Sequence, residues 1–144
     1  MAVLLSEQPF EPAEEIARFE ATLPSGSFGA TASFVGTMRN HNEGDSVTAM
    51  TLEHYPGMTE KQLEEVIDDA KSQWDIIDAL IVHRVGEILP GNPIVLTAVC
   101  SAHRAAAFDA CRFLMEALKS RATFWKKETL ANGDSRWVEK NTPG

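Results

Sequence analysis

Two lysines near the C-terminal end of the sequence are the residues whose type and spacing most directly suggest chemistry. Lys119 and Lys126 lie seven positions apart, the first at the end of a predicted helix and the second in the segment that follows. A lysine ammonium group can offset the charge of a carboxylate-like group, and burial beside other cations can lower its pKa until it transfers protons. Most surface lysines do neither, so a solvated pair is the alternative interpretation.

Two further segments place cations where an anion could bind. Ser101–Arg104 lies where a predicted strand gives way to a helix, so the free N–H groups of the first helical turn, with His103 and Arg104, could converge on a phosphate. The segment Thr37, Met38, Arg39 ends another predicted strand and presents a guanidinium group at the start of a loop. The alternative is that these cations only decorate a helix start and a loop.

The remaining reactive side chains favour structural roles. His83 and Arg84 form a dipeptide within a predicted strand, and we expect one of the two to face solvent because neighbours in a strand point to opposite sides. The four histidines are scattered without zinc-ligand spacing, so we expect no catalytic metal. Cys100 and Cys111 fall on apolar positions, which predicts packed thiols in a reducing compartment that are poor carriers of sulfur.

Composition indicates an acidic domain with one local concentration of positive charge. The 144 residues carry a formal net charge of -8, which argues against a general nucleic-acid binder. Cations nevertheless outnumber acids between Arg104 and Lys127, a pattern that predicts a local anion site or, alternatively, a solvated helix face with a basic tail. Without an export signal or a long apolar segment, we expect one cytoplasmic domain spanning residues 1–144.

In the first half of the chain, apolar periodicity predicts two helices and two strands. A short helix begins at Pro12, and strands at Ala30–Thr37 and Val47–His54 flank a mobile loop at Asn40–Ser46 and pair with each other. A longer helix follows the turn at Pro56-Gly57, and we expect Thr59 and Gln62 to form its capping box.

In the second half, the pattern predicts two strands, a long helix and a hairpin. Strands at Ile76–Val85 and Ile94–Ser101 are joined through Leu89–Pro93, and Ser101 caps a second long helix. The predicted core positions of that helix are Phe108, Cys111, Leu114, Met115 and Leu118. A C-terminal β-hairpin of Phe124–Thr129 and Ser135–Glu139 closes at Asn132-Gly133. The order of elements predicts an α+β class with a mostly antiparallel sheet.

Five ordered blocks of sequence resemble the molybdopterin synthase large-subunit family over nearly the whole chain. They are FVGTMRNHN at Phe34–Asn42, LEHYPGMTE at Leu52–Glu60, HRVGE at His83–Glu87, SAHR at Ser101–Arg104, and KSRATFWKKE at Lys119–Glu128. One departure from the pattern is Thr123, where many members of the family have proline.

The resemblance implies a fold, a reaction and a set of partners. The family adopts an α/β hammerhead fold and forms a homodimer, with one small ubiquitin-like sulfur-carrier subunit at each end, giving a heterotetramer. The C-terminal Gly-Gly tail of that partner carries a thiocarboxylate, and two sulfur transfers convert cyclic pyranopterin monophosphate to molybdopterin. Because the partner supplies the sulfur, the resemblance implies no cofactor for the large subunit.

The resemblance also implies roles for particular residues of this sequence. Lys119 should meet the thiocarboxylate, and Lys126 should assist proton transfer or charge stabilisation at the pterin. Substrate binding is expected from both lysines and from Thr37, Met38, Arg39, His103, Arg104, Lys127 and Glu128, with His103 and Arg104 coming from the neighbouring subunit.

Two interpretations from other classes compete with an enzyme. A noncatalytic module could use the basic pocket to hold a phosphorylated small molecule or the tail of a ubiquitin-like protein. A structural oligomerisation domain could use its cations only to contact acidic surfaces.

Overall fold

The computed structural model of the chain describes residues 3–139 and contains twelve helices and strands in that range. In chain order they are β1 (Val3–Ser6), α1 (Pro12–Ala21), β2 (Ala30–Thr37), β3 (His41–Asn42), β4 (Asp45–His54), α2 (Met58–Gln73), β5 (Asp78–Arg84), β6 (Gly86–Ile88), β7 (Pro93–Ser101), α3 (Arg104–Arg121), β8 (Phe124–Leu130) and β9 (Ser135–Val138).

The first sheet has the strand order β1-β5-β7-β2, and helices pack on both of its faces. β1 runs parallel to β5, and the other neighbours are antiparallel. The two long helices α2 and α3 cover one face, where Leu63 and Leu114 pack with Ile81 and Val99. Helix α1 covers part of the other face through Phe19, which packs with the buried apolar residues of β5 and β7. Burial of these side chains is the main term that stabilises the layers.

The second sheet has the order β3-β4-β8-β9, and β6 also pairs with β4. Its inner face packs on a third apolar cluster, which includes Met50 and Leu52 from β4 and Ile88 from β6. The molecule is therefore an α+β protein with mostly antiparallel sheets, two long helices and a C-terminal hairpin, as the sequence predicts. Its two sheets meet where β5 continues into β6.

The prediction that β2 and β4 could pair with each other is wrong. β2 pairs with β7 and β4 pairs with β8, in different sheets. The segment between them forms a short hairpin, in which His41 pairs with Ser46 and Asn42 with Asp45. Its turn residues Glu43 and Gly44 have φ angles of 52° and 82°, which suit a two-residue turn of the kind that joins twisted strands.

The predicted capping box of α2 is also wrong, because the helix begins at Met58 and its N-cap is Gly57, two residues before Thr59. Gly57 precedes the first helical residue, and its N–H donates to the side chain of Glu60 at 3.0 Å. Thr59 and Gln62 instead bind the backbone of Thr123, the residue that precedes β8. These two side chains therefore make tertiary contacts between α2 and the start of β8. A local sequence pattern cannot reveal contacts with a residue so distant in the chain.

Two predictions about α3 need correction. Ser101 is the last residue of β7 rather than the cap of the helix, and the capping position is taken by His103, whose side chain makes no cap hydrogen bond. Ser101 accepts from the N–H of His103 at 3.3 Å and donates to the carbonyl of Asp75. Phe108 is 65% exposed and not in the core, whereas Cys111, Leu114 and Leu118 are buried as predicted.

Three short strands are not predicted by the sequence patterns. β1, β3 and β6 contain four, two and three residues, too few for an alternating pattern to repeat. None of the helices in residues 3–139 is both long enough and apolar enough to cross a membrane.

Replacing Thr59 by valine tests how much the contact with Thr123 stabilises the fold. The Thr59 hydroxyl donates to the carbonyl of Thr123 at 2.9 Å and accepts from the N–H of Tyr55 at 3.0 Å. Thr59→Val keeps the shape of the side chain but leaves both backbone groups unpaired, so we expect the free energy of unfolding to fall by about 1–3 kcal/mol. Urea denaturation of the two proteins measures the difference.

The control is Thr48→Val. Thr48 is an exposed threonine on β4 that donates to the carbonyl of Thr129 at 3.3 Å. We expect it to change the free energy of unfolding by no more than about 0.5 kcal/mol. Equal effects of the two substitutions would contradict the structural role given to Thr59.

Candidate active site

The turn at Thr123 positions the two lysines. α3 ends at Arg121 and β8 begins at Phe124, so Lys119 lies in the last turn of the helix and Lys126 near the start of the strand. Both backbone groups of Thr123 are fixed by α2: its N–H donates to Gln62 Oε1 at 2.8 Å, and its carbonyl accepts from Thr59. The N–H bond uses a group that a proline at this position would lack.

Lys126 projects from β8 on the inner face of the second sheet. It shares that face with Phe124 and Glu128, because alternate residues of a strand point the same way, and it lies opposite Leu52 of β4. The side chain is partly buried. Burial, reinforced by the positive charge of Lys119 and opposed by Glu128, lowers the pKa of Lys126 from 10.5 to about 8.

Lys119 approaches the same place from the helix. Its side chain is partly buried, and burial lowers its pKa against the opposing effect of Glu116. The charge of Lys119 is the second cause of the low pKa of Lys126, so the two ammonium groups act on each other. The structure thus brings together the two lysines that the sequence singled out.

His83 and Arg84 lie beside the lysines, and the prediction that one of them faces solvent is wrong. They are 3% and 4% exposed. Their strand is covered on both faces, so neither side is open to water. The His83 ring stacks on Phe124 with 4.1 Å between ring centroids. Burial lowers its pKa from 6.5 to about 4, and Lys126, Lys119 and His54 add to that effect, while a hydrogen bond to Arg84 opposes it.

Sequence reasoning missed His83 as a member of the site, although one signal for its burial was present. The preceding residues Ala79–Val82 are continuously apolar, a pattern typical of a strand with no solvent-facing side. Arg84 continues this buried strand and donates through Nη2 to the carbonyl of Glu87. Its Nε and Nη1 atoms have no hydrogen-bond partner within residues 3–139.

The carboxylate of Glu128 is occupied by protein groups. It accepts from Asn42 Nδ2 at 3.1 and 3.2 Å and from Arg136 Nε at 3.1 Å. Arg136 also donates to Asp45 at 2.8 Å and to the carbonyl of Asn42 at 3.0 Å. Glu128 therefore ties the hairpin of β3 and β4 to the hairpin of β8 and β9.

Lys127 points away from the lysine pair. It alternates with Lys126 along β8 and is exposed on the opposite face, where its Nζ lies 5.6 Å from the ring centroid of Trp137. Its predicted contact with substrate would have to be made from this outer face.

The segment after β2 lies at the same end of the molecule as the lysines. The side chain of Met38 is 5% exposed and packs in the cluster around Val85 and Ile88, against which Phe124 also packs. The Met38 backbone is fixed by Gly91 and Asn92. Thr37 and Arg39 on either side are exposed. Met38 thus anchors the segment, and its neighbours are the groups that can reach a ligand.

His103 and Arg104 lie at the opposite end of α3 from Lys119. Both are exposed. Arg104 and Lys119 are 15 positions apart in one continuous helix, which separates their backbones by about 22 Å at a rise of about 1.5 Å per residue. The structure therefore does not bring these two predicted site residues together within one chain.

Other parts of the predicted basic cluster and both thiols have structural partners. Arg112 lies 3.8 Å from Glu116, and Arg121 lies 2.5 Å from Asp69, both at the surface. Cys100 and Cys111 are buried, and burial raises the pKa of each thiol. Between residues 3 and 139, no group of three or more histidine, cysteine, aspartate or glutamate side chains is placed to hold a metal ion.

The structure is that of an α+β protein with two partly buried lysines at the junction of α3 and β8. A model of the family described as "MoaE protein" matches residues 5–121. The chain is 52% identical over 137 residues to the molybdopterin synthase catalytic subunit of Ralstonia nicotianae, covering 95% of this chain and 76% of that protein. It is 48% identical to the Escherichia coli catalytic subunit, with 95% and 89% covered.

A solved structure agrees with these relatives. The molybdopterin biosynthesis MoaE protein from Burkholderia ambifaria has a TM-score of 0.81 and 46% identity, with 96% of this chain and 89% of that chain covered. The chain belongs to the MoaE protein family, and the resemblance noted in its sequence motifs is confirmed.

Replacing Lys119 by methionine tests whether the two ammonium groups act on each other. Methionine keeps a long side chain at this position but removes the positive charge that helps to lower the pKa of Lys126. We therefore expect the pKa of Lys126 to rise above about 8, while burial keeps it below 10.5. Carbon-13 NMR titration of labelled lysines measures it. An unchanged or lower value would contradict the proximity of the two groups.

Proposed function

We propose that this chain is the catalytic subunit of a molybdopterin synthase. In the proposed reaction, it converts cyclic pyranopterin monophosphate to molybdopterin in two sulfur transfers, each of which takes the one sulfur of a C-terminal thiocarboxylate on a small ubiquitin-like partner and leaves a carboxylate there. Family membership supports the reaction class. The observation that carries the assignment within this chain is the pair of partly buried, mutually interacting lysines at the junction of α3 and β8.

The electrostatics of the lysine pair suit this reaction. A thiocarboxylate and a cyclic phosphate are both anions, and they repel each other as they approach. Two ammonium groups fixed beforehand offset that repulsion without reorganising during the reaction. The cost is partial desolvation, which lowers the pKa of both lysines, and their repulsion, which adds to the lowering at Lys126. The negative charges of two bound anions offset both costs.

The proposed roles of the two lysines differ. Lys119, in the last turn of α3, contacts the thiocarboxylate end of the partner tail. Lys126 transfers a proton or stabilises charge at the pterin. Its pKa of about 8 supports this role, because proton transfer is most efficient when the pKa lies near the working pH.

We propose that sulfur arrives on the partner and that the chain needs no resident cofactor and no nucleophile of its own. Both thiols are buried and have raised pKa values, which makes them poor sulfur carriers. The chain then contributes positioning, electrostatics and proton transfer. We assign this activity to the cytoplasm, where thiols and a thiocarboxylate remain reduced.

We further propose that each pocket is shared between two copies of the chain in a homodimer. Arg39 and Thr37 lie at the same end as the lysines and can contact the pterin and phosphate from the same chain. His103 and Arg104 are separated from that end by the length of α3, so they can serve the pocket only from the neighbouring copy. With one small partner at each end, the assembly is a heterotetramer.

Lys127 and Glu128 take lesser roles in this proposal. Glu128 opposes the lowering of the pKa of Lys126 and holds the β3–β4 hairpin, so it acts on the pocket through neighbouring groups. Lys127, on the outer face of β8, is available to the partner or to the substrate only from that side.

Alanine substitution of the lysines tests the proposed chemistry. The purified chain is combined with a thiocarboxylated Gly-Gly partner and cyclic pyranopterin monophosphate, and molybdopterin is detected as its fluorescent oxidation product. We expect Lys119→Ala and Lys126→Ala each to lower kcat by about a hundredfold or more, because each removes a charge or a proton donor from the transition state.

The matched control is Arg112→Ala. It removes an exposed cation from α3 about two helical turns before Lys119. It should retain turnover close to that of the unmodified chain. Full turnover by a folded Lys119→Ala protein would refute its catalytic role. An unmodified chain that binds both components but forms no product would favour a noncatalytic binding module instead.

Mixed dimers test whether the pocket is shared. Chains carrying Arg104→Ala and chains carrying Lys119→Ala are coexpressed with different affinity tags. In a shared pocket, the mixed dimer contains one site with both residues intact and one site with neither. We therefore expect a purified mixed dimer to recover about half the turnover of the unmodified dimer, since a two-fold axis makes its two sites equivalent before substitution.

Dimers of either single variant serve as controls and should remain impaired. If all pocket residues came from one chain, each site of the mixed dimer would lack one residue. The mixed dimer would then be no more active than the average of the two variants.

A further inference from the structure

Arg136 of β9 is an arginine to which the proposed reaction gives no role, although three of its nitrogen atoms bind three different segments. Nε donates to Glu128 Oε1 of β8 at 3.1 Å, Nη1 to Asp45 Oδ2 of β4 at 2.8 Å, and Nη2 to the carbonyl oxygen of Asn42 in β3 at 3.0 Å. Glu128 lies directly opposite Arg136 in the ladder of β8 and β9. We refer to these four residues as the arginine clamp, because they join the C-terminal hairpin to the β3–β4 hairpin.

The side chain of Asn42 strengthens the same connection. Its Nδ2 atom donates to both carboxylate oxygens of Glu128, at 3.1 and 3.2 Å. Glu128 is only 7% exposed, and its charge would be costly to bury without these partners. Asn42 therefore contacts the clamp twice, through its side chain and through its backbone carbonyl group.

The β3–β4 hairpin is too short to keep its position by itself. β3 contains two residues, and its ladder with β4 consists of the pairs His41–Ser46 and Asn42–Asp45. Even a longer two-stranded hairpin is only marginally stable in water when it is isolated. Of the four paired residues, Asn42 and Asp45 are the two that bind Arg136. The position of β3 therefore depends largely on the clamp.

Arg39 lies between this hairpin and a second fixed point. On its N-terminal side, the backbone of Met38 is bound by the loop that precedes β7. On its C-terminal side, the carbonyl oxygen of Asn40 accepts from the N–H of Val47 at 2.9 Å, and the clamp begins at Asn42. The side chain of Arg39 is exposed. Its backbone is thus fixed from both sides, while its guanidinium group can meet a ligand.

We propose that Arg136 is a positioning residue for substrate binding: through Asn42 and the β3–β4 hairpin, it holds Arg39 at the same end of the molecule as the lysine pair, where Arg39 meets the phosphate of the substrate. This inference rests on the proposed function for the identity of the ligand. Arg136 acts through the hairpin and does not itself contact the substrate. An arginine whose backbone is ordered before binding loses less conformational freedom when the anion arrives.

Arginine suits the position of Arg136 better than another cation. Its planar guanidinium group presents N–H donors in fixed directions, so it can bind acceptors from three segments at once. The substitution Arg136→Lys would keep a positive charge opposite Glu128, but a single ammonium nitrogen cannot occupy the places of three guanidinium nitrogens. The charge of Arg136 and its geometry can therefore be separated experimentally.

The affinity of the complex for cyclic pyranopterin monophosphate tests the proposal without turnover. The full chain is assembled with a small partner that ends in an ordinary carboxylate, and the dissociation constant is measured by isothermal titration calorimetry. We expect Arg39→Ala to weaken binding about tenfold by removing a charge-assisted hydrogen bond, and Arg136→Met to weaken it about fivefold by releasing Arg39. Unchanged affinity in a folded Arg136→Met complex would overturn the proposal.

Combining the two substitutions separates positioning from general damage to the fold. If Arg136 acts through Arg39, Arg136→Met has nothing left to release in a chain that carries Arg39→Ala. The double variant should then bind no more weakly than Arg39→Ala alone, within about twofold. Effects that multiply to about fiftyfold would show that Arg136 acts by another route, and the proposal would be wrong.

Two further variants complete the design. Arg18→Met removes an arginine of α1 that pairs with Glu15 at 2.8 Å, and this control should leave the affinity unchanged. Arg136→Lys covers the case in which Arg136→Met does not fold, because it keeps the positive charge. It should still weaken binding about threefold, since it cannot keep all three contacts. Full affinity in the Arg136→Lys complex would contradict the role given to the clamp.

Turnover with the thiocarboxylated partner distinguishes failure of this inference from failure of the proposed function. Arg136→Met should raise KM about fivefold and lower kcat by less than about threefold, because the lysine pair stays in place. An unmodified KM in this variant would retain the proposed function and remove the inference. An unmodified complex that binds the substrate but forms no molybdopterin would do the reverse, and one that does not bind it would refute both.

Discussion

The turn between α3 and β8 is held by α2 through both backbone groups of Thr123, and the geometry of the site depends on this contact. Gln62 accepts the N–H of Thr123, and Thr59 donates to its carbonyl. Three elements from two layers meet at this residue. If the turn moved, the end of the helix and the start of the strand would move independently, and the distance between the two ammonium groups would no longer be defined. A pair of like charges cannot hold itself together, so the surrounding fold must do so.

The electrostatics of the lysine pair depend on how deeply each charged group is buried as well as on how many charged groups are nearby. The chain carries a net charge of -8, yet burial and Lys119 lower the pKa of Lys126 by more than Glu128 raises it. The carboxylate nearest in sequence, Glu128, is engaged by Asn42 and Arg136. This arrangement keeps a stabilising negative charge within electrostatic reach of Lys126 but directs its oxygens toward the neighbouring hairpin. In the proposed reaction, this arrangement lets the lysine pair attract anionic reactants although the chain as a whole is acidic.

The sequence predicted the helices α1, α2 and α3, the longer strands and the lysine pair, because each has a local signal. Periodic apolar residues mark α2 and α3, Asn132-Gly133 marks the last turn, and the motifs from Lys119 to Glu128 mark the site. What could not be predicted depends on contacts between distant segments. The sequence around Thr59 is typical of a helix cap, and only the folded structure shows that its hydroxyl binds Thr123. The strand pattern around His83 predicts that one of His83 and Arg84 faces solvent, and only the packing of distant elements shows that both are buried. Sheet membership of β2 and β4 likewise depends on partners far away in the chain.

The length of α3 has a consequence for how this protein can vary. One end of the helix holds Lys119 and the other begins beside His103 and Arg104. A substitution on its exposed side, where Phe108 and Arg112 lie, changes neither end. Inserting a single residue would shift one end along the axis by about 1.5 Å and rotate it by about 100° relative to the other. In a pocket assembled from opposite ends of two such helices, both sites would be displaced at once. In the proposed shared pocket, the helix is therefore a spacer whose surface residues can vary but whose number of residues cannot.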